Sequence, residues 1–190
     1  MKPKDDNKIE EIYKSTLALV KREGLSGITM SMIAKHAGLA TGTVYLYFKN
    51  KEELIVKLFD VCVQAWLKNY FADLKLDGPF KPTFKTIWMN MAKHNLERFD
   101  EVVFVEQCFH SPFISEDTRI LTKQMFEPIY NFMERGKKEK LVKPLDTVWL
   151  YVYMRGIIKE MVKYAYYNKQ KLNQKTMDEL FDLCWDGMKD

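Results

Sequence analysis

Residues 30–49 read MSMIAKHAGLATGTVYLYFK, and this stretch decides the fold. Counted from Met30, Ala34 stands fifth, Gly38 ninth and Val44 fifteenth. Two short helices that cross closely need a small residue at the crossing, and Ala34 supplies it. The chain between them must turn sharply, which calls for the positive φ that glycine adopts without strain, here at Gly38. Ile33, Leu39, Val44 and Tyr47 then lock the pair to a core. The other face of the second helix stays free to enter a major groove about 12 Å wide. The spacing predicts a helix-turn-helix: a short helix after Thr29 to about His36, a turn at Ala37-Gly38-Leu39-Ala40, and a second short helix to about Phe48.

Working outward, apolar residues recur at helical spacing almost everywhere, and no convincing alternating stretch appears. Ile9, Ile12, Tyr13, Thr16, Leu17 and Val20 form the stripe of a first helix over 7–21, closed by Gly24. Asn50 with Glu53 three residues later reads as a capping box opening a long helix towards Leu74. Residues 73–82 look like a linker. Further helices are predicted over 83–98, 101–109, 117–139, 145–168 and 175–188, with Pro128 kinking or splitting the third of these. The fold expected is all-α with about nine helices. A three-helix N-terminal domain, 1–50, precedes a larger helical domain, 51–190.

The formal charge of +4 is unevenly placed. Residues 1–51 hold nine Lys/Arg against five Asp/Glu, whereas the rest holds 21 of each. The excess surrounds the helix-turn-helix, as suits a segment facing a polyanion. No apolar run reaches the roughly 18 residues of a membrane span, and the polar start Met1–Lys8 has no hydrophobic segment behind it, so a cytoplasmic protein is expected. Cys62, Cys108 and Cys184 are too few and too scattered for a disulfide framework or a metal site. No GxSxG, HExxH, phosphate-loop or dinucleotide motif is present, so neither an enzyme nor a cofactor is expected.

From Thr29 to Leu54 the chain resembles the tetracycline-repressor (TetR) family of bacterial regulators. The resemblance is carried by Thr29, Ile33-Ala34, Ala37-Gly38-Leu39, Gly42-Thr43, Tyr45, Tyr47-Phe48 and Lys51-Glu52-Glu53-Leu54. It implies that Thr29 caps the second helix and faces a phosphate, and that Thr41, Gly42 and Thr43 open the recognition helix against DNA. Thr43 and Tyr45 become candidates for base contacts, and Tyr47 and Lys51 for phosphate contacts. Lys35, His36 and Lys49 are weaker backbone candidates. Two residues depart from the family pattern: Met32 stands where an acid is frequent, and Ala40 where a serine is. Since alanine cannot cap, the cap is expected to pass to Thr41.

The same resemblance implies that the last two helices meet their symmetry mates in a four-helix bundle. Trp149, Val152, Gly156, Leu180, Cys184 and Trp185 are the interface candidates. Gly156, in the middle of its helix, costs about 1 kcal/mol against alanine, which a close helix crossing would explain. The aromatic segment between linker and bundle reads as core or, by the resemblance, as an effector cavity. Its apolar candidates are Trp88, Met91, Phe99, Phe104, Phe109, Phe126, Tyr130, Met154 and Ile158. His94, Asn95 and Glu106 are the polar groups that would orient a ligand. An aromatic cage with Glu106 would suit a lipophilic cation, whereas an inward Arg119 or Arg155 would suit an acidic lipophile such as a fatty acid. The function expected is a homodimeric repressor of a palindromic operator in double-stranded DNA, released by a small lipophilic effector. The alternative is an activator or architectural binder whose C-terminal domain only dimerises.

Overall fold

In the computed structural model, residues 6–190 are described and form ten helices. The start of the chain, Met1–Asp5, lies outside the described residues. In order they are α1 (Asp6–Gly27), α2 (Met30–His36), α3 (Thr41–Tyr47), α4 (Lys51–Tyr70) and α5 (Phe80–Glu97). Then come α6 (Phe99–Phe109), α7 (Glu116–Gln124), α8 (Glu127–Lys138), α9 (Thr147–Tyr167) and α10 (Gln174–Met188). Among the described residues the only extended pairing is an isolated bridge between Val142 and Lys189. Among the described residues no helix is long and apolar enough to cross a membrane.

Of the two outcomes that Pro128 implies for 117–139, a kink or a split, the chain shows the split. Pro128 lacks the amide that a continuous helix needs, and it sits in the first turn of α8, where no such amide is required. This split raises the count from about nine to ten. The first helix breaks where its glycine predicts: Gly24 has φ 75° and ψ 164°, and residues 25–27 are a separate turn within α1. α4 ends at Tyr70, short of Leu74.

The chain packs into two compact units. The first takes residues 6–64 together with 100–120, and the second takes 65–99 with 121–190. These units divide the chain differently from a boundary at residue 50, because the first part of α4 and most of α6 pack with the N-terminal helices. In the first unit, Lys21 pairs with Asp100 at 2.6 Å, and the Leu25 amide donates to Gln107 Oε1 at 3.0 Å. Ile12, Leu19, Val20, Ile33, Val44, Leu54 and Phe59 fill its core.

The second unit is built around α5, which buries Phe80, Phe84, Ile87, Trp88, Met91 and Ala92. Phe80 stacks on Phe132 of α8 with ring centroids 4.4 Å apart, and Phe84 packs against Phe181 and Trp185 of α10. Gly136 makes the first of these contacts possible, since a Cβ there would come within 2.3 Å of the Phe80 ring. Asp146 and Asn173 cap α9 and α10 by accepting the amides of Val148 and Thr176.

Candidate nucleic-acid interface

α2 and α3 are set by their ends. Thr29, with extended backbone (φ −125°, ψ 160°), caps α2 by accepting the Met32 amide at 3.2 Å. At the other end Gly38 has φ 67°, and two backbone bonds close the turn: Leu39 to the Ala34 carbonyl and Gly38 to the Lys35 carbonyl. That pair of bonds is the Schellman arrangement, which needs the left-handed conformation at its glycine. Ala34 is buried at the crossing. α3 opens on Ala40, which holds the cap position with extended backbone and no side-chain hydrogen bond. The cap does not pass to Thr41, which is already the first helical residue, and the Thr43 amide reaches the Ala40 carbonyl at 2.9 Å.

Val44 and Phe48 turn inward, and Tyr13 meets the Phe48 ring at 5.6 Å. With Val44 anchored, Gly42 and Leu46, each two positions and about 200° round the helix from it, must face out. Thr41, Gly42, Tyr45 (51% exposed) and Leu46 (76% exposed) form that outer surface, with Thr43 and Tyr47 half-buried at its edges. Leu46 is the residue that sequence reasoning passed over. Its signal was available in the angle from Val44, but an apolar residue invites assignment to the core.

Lys35, His36 and Lys49 are exposed around this surface, and His36 Nδ1 lies 3.0 Å from Ser15 Oγ. Asn50 Oδ1 accepts the Glu53 amide at 2.8 Å, and Glu53 Oε2 accepts the Lys49 amide at 2.6 Å, which together fix the start of α4. The hydrogen bonds from Lys57 and from the Lys49 amide hold the Glu53 carboxyl below its ordinary range. Lys51 is tied inward as well. Its Nζ donates to the carbonyls of Leu25 (3.2 Å) and Ile28 (2.9 Å) and lies 5.6 Å from the centre of the Phe113 ring. It therefore clasps the α1–α2 connection to α4 and retains one of its three donors.

The effector candidates are divided between the two units. Trp88, Met91, His94, Asn95, Phe99, Phe126, Met154 and Ile158 are buried in the second unit, with Tyr130 half-buried there. Phe104, buried, and Glu106 and Phe109, half-buried, belong to the first unit. Arg119 does not serve as an inward cation. It donates to the carbonyls of Phe109 and Ser111 and pairs with Glu116. Arg155 is exposed.

The interface candidates separate in the same way. On α9, Trp149 (66% exposed), Val152 and Gly156 share an outer apolar face with Val148 and Tyr153. On α10, Leu180 is half-buried. Cys184 and Trp185 are buried in their own protomer, Trp185 against Phe80 and Phe84, so they leave the outer face. Leu183, 64% exposed, stands there instead.

Comparison with known proteins agrees with this geometry. Residues 12–58 match the description of bacterial regulatory proteins of the tetR family. Residues 79–189 match a tetracyclin repressor-like C-terminal domain. The chain belongs to the TetR family. This is a family of regulatory proteins rather than of enzymes. A Haemophilus influenzae HTH-type transcriptional regulator is 35% identical over 82 residues, covering 43% of this chain and 44% of that one. A Bacillus subtilis fatty acid metabolism regulator is 35% identical over 68 residues, covering 36% of this chain and 35% of that one. The chain thus aligns with less than half the length of these two relatives. A TetR-family regulator from Marinobacter aquaeolei shares the fold over the whole of both chains, with a TM-score of 0.86 at 22% identity.

Proposed function

We propose that this TetR-family chain acts in the cytoplasm as a homodimeric DNA-binding regulator, a repressor released from a palindromic operator by a small lipophilic effector. The observation that carries the reading is the outer surface of α3. It exposes Thr41, Gly42, Tyr45 and Leu46 on a helix whose inner face is locked by Val44 and Phe48. Tyr45 and Leu46 leave half or more of their surface in solvent, which a role in the core alone does not explain. They suit a groove, where Tyr45 and Thr43 read base edges and Leu46 packs on a thymine methyl group.

Thr29, Lys35, Tyr47 and Lys51 are the proposed phosphate contacts, which orient the reader without reading sequence. Lys51 would spend its remaining donor there. The outer face of α9 with Leu183 is the proposed dimer surface, which would set two readers on half-sites about one helical turn apart. The name of the Bacillus subtilis relative supports lipophiles as the first effectors to try.

The test is selection of bound DNA from a random pool, repeated with candidate lipophiles. Recovery of a palindrome whose retention falls with one of them supports the reading. Recovery without palindromic symmetry removes the dimeric reader. Retention indifferent to a lipophile that measurably binds removes the release mechanism and favours a C-terminal domain that only dimerises.

A further inference from the structure

Four buried nitrogens among the described residues of the second unit make no ordinary hydrogen bond; Trp88 Nε1 still meets the Cys184 thiol and Arg135 Nε lies 3.7 Å from Glu139, which leaves Trp66 Nε1 near the end of α4 and His94 Nε2 on α5. The two residues are 8% and 2% exposed. Their rings meet edge to face with centroids 6.4 Å apart. Tyr70 closes the group, stacked on Trp66 at 6.0 Å and edge-on to His94 at 5.3 Å, with Phe126 6.3 Å from its own ring. The Tyr70 hydroxyl is already spent, donating to Asn95 Oδ1 at 2.7 Å.

The hydrogen bond on the far side of the imidazole decides what its free nitrogen can do. Asn69 Nδ2 lies 2.8 Å from His94 Nδ1, and an amide nitrogen can only donate. Nδ1 is therefore the acceptor, and the proton of the neutral ring sits on Nε2. The ring is neutral at physiological pH because burial, helped by the charge of Arg98, pushes its pKa down to about 4. The Trp66 indole nitrogen is a donor in any state. Two buried N–H donors thus belong to one cluster of contacting rings, and neither has an acceptor, a costly and uncommon arrangement.

We propose that Trp66 and His94 form the polar end of the effector site, and that the effector is an apolar molecule presenting an acceptor oxygen of a carboxylate or carbonyl to their N–H groups. This rests on the reading of the chain as a ligand-released regulator and narrows it. A simple alkylammonium carries no acceptor and leaves both donors unmet.

The test uses the full chain without DNA and two probes of equal chain length, dodecanoate and dodecyltrimethylammonium, titrated calorimetrically below their micellar range. Dodecanoate is expected to bind at least about tenfold more tightly than the ammonium, the worth of a hydrogen bond to a charged group. Trp66→Phe and His94→Phe each keep an aromatic ring and remove one donor. Each should weaken dodecanoate about tenfold and leave the ammonium unchanged. Nitrogen NMR of the histidines adds a readout that survives if His94→Phe fails to fold: His94 should carry its proton on Nε2, and that signal should shift with dodecanoate. No binding of dodecanoate, equal binding of the two probes, wild-type affinity in Trp66→Phe, or a proton on Nδ1 would each overturn the proposal. Operator release is measured separately. Dodecanoate that binds through these residues yet leaves DNA bound sustains the site and overturns the release mechanism. Release that ignores both substitutions does the reverse.

Discussion

Replacing Gly156 with alanine should strengthen the protomer and weaken the dimer, and the two effects can be sized separately. Gly156 lies in the interior of the 21-residue α9, and a Cβ built on it meets nothing within 4 Å of its own chain. Within the protomer the substitution therefore carries only the propensity gain, about 1 kcal/mol. The helix forgoes that gain for no internal reason. If the outer face of α9 packs on its symmetry mate at Gly156, two added methyl groups enter one close crossing. Overpacking costs about 1–3 kcal/mol per site, so the dimer loses at least about 2 kcal/mol across both copies, roughly a 30-fold rise in its dissociation constant. Urea unfolding at concentrations below dissociation would read the first term, and sedimentation equilibrium the second. A variant whose dimer is as tight as wild type, or tighter, would refute the placement of Gly156 at the crossing.

Gly42→Ala should leave stability unchanged or slightly raised, since a Cβ there also meets nothing within 4 Å, yet weaken operator binding about tenfold or more in a fluorescence titration. Undiminished binding would mean that α3 does not approach DNA at Gly42. Lys51→Met should lower stability by about 2 kcal/mol, because the Leu25 and Ile28 carbonyls lose a charged donor. It should also weaken binding to cognate and random DNA alike and flatten the salt dependence. A loss of stability with unchanged DNA affinity would leave Lys51 purely a clasp. The folded chain holds His94 at about 4 against 6.5 for the free side chain, so below about pH 6.5 the unfolded chain binds the extra proton and stability falls as pH drops towards 4. Urea unfolding across that window should show the slope in wild type and less of it in His94→Gln, and equal slopes would contradict it.

What could be read from the sequence was what the backbone fixes locally. Gly38 and Ala34 announce a turn and a crossing because few residues satisfy those geometries, and Gly24, Pro128 and Asn50 mark helix ends for the same kind of reason. The dimer face was read less well. α10 carries apolar residues at 177, 180, 181, 183, 184, 185 and 188, more than one stripe can hold. The inward set is Met177, Phe181, Cys184, Trp185 and Met188, spaced by four, three, one and three as a single helical face requires. Leu183 falls outside that face, so the pattern already held the answer that size and hydrophobicity obscured. The pairing of Asn69 with His94 joins residues 25 apart on different helices, and no periodicity foretells it.

The aromatic abundance of the middle segment bears on the effector differently once its members are placed. Much of it is consumed in a continuous solid ladder, from Phe132 through Phe80 and Phe84 to Trp185, Phe181 and Trp88. A ladder of stacked and edge-on rings is core, and abundance of this kind says nothing for a ligand. The group at Trp66, Tyr70, His94 and Phe126 differs in chemistry and not in apolar content. Burying a donor without an acceptor lowers stability, and a core serving only to hold the fold would do better with phenylalanine at 66 and 94. The retained N–H groups of Trp66 and His94 are thus the feature that packing alone does not account for, and these two nitrogen atoms speak for an effector more than any number of rings does.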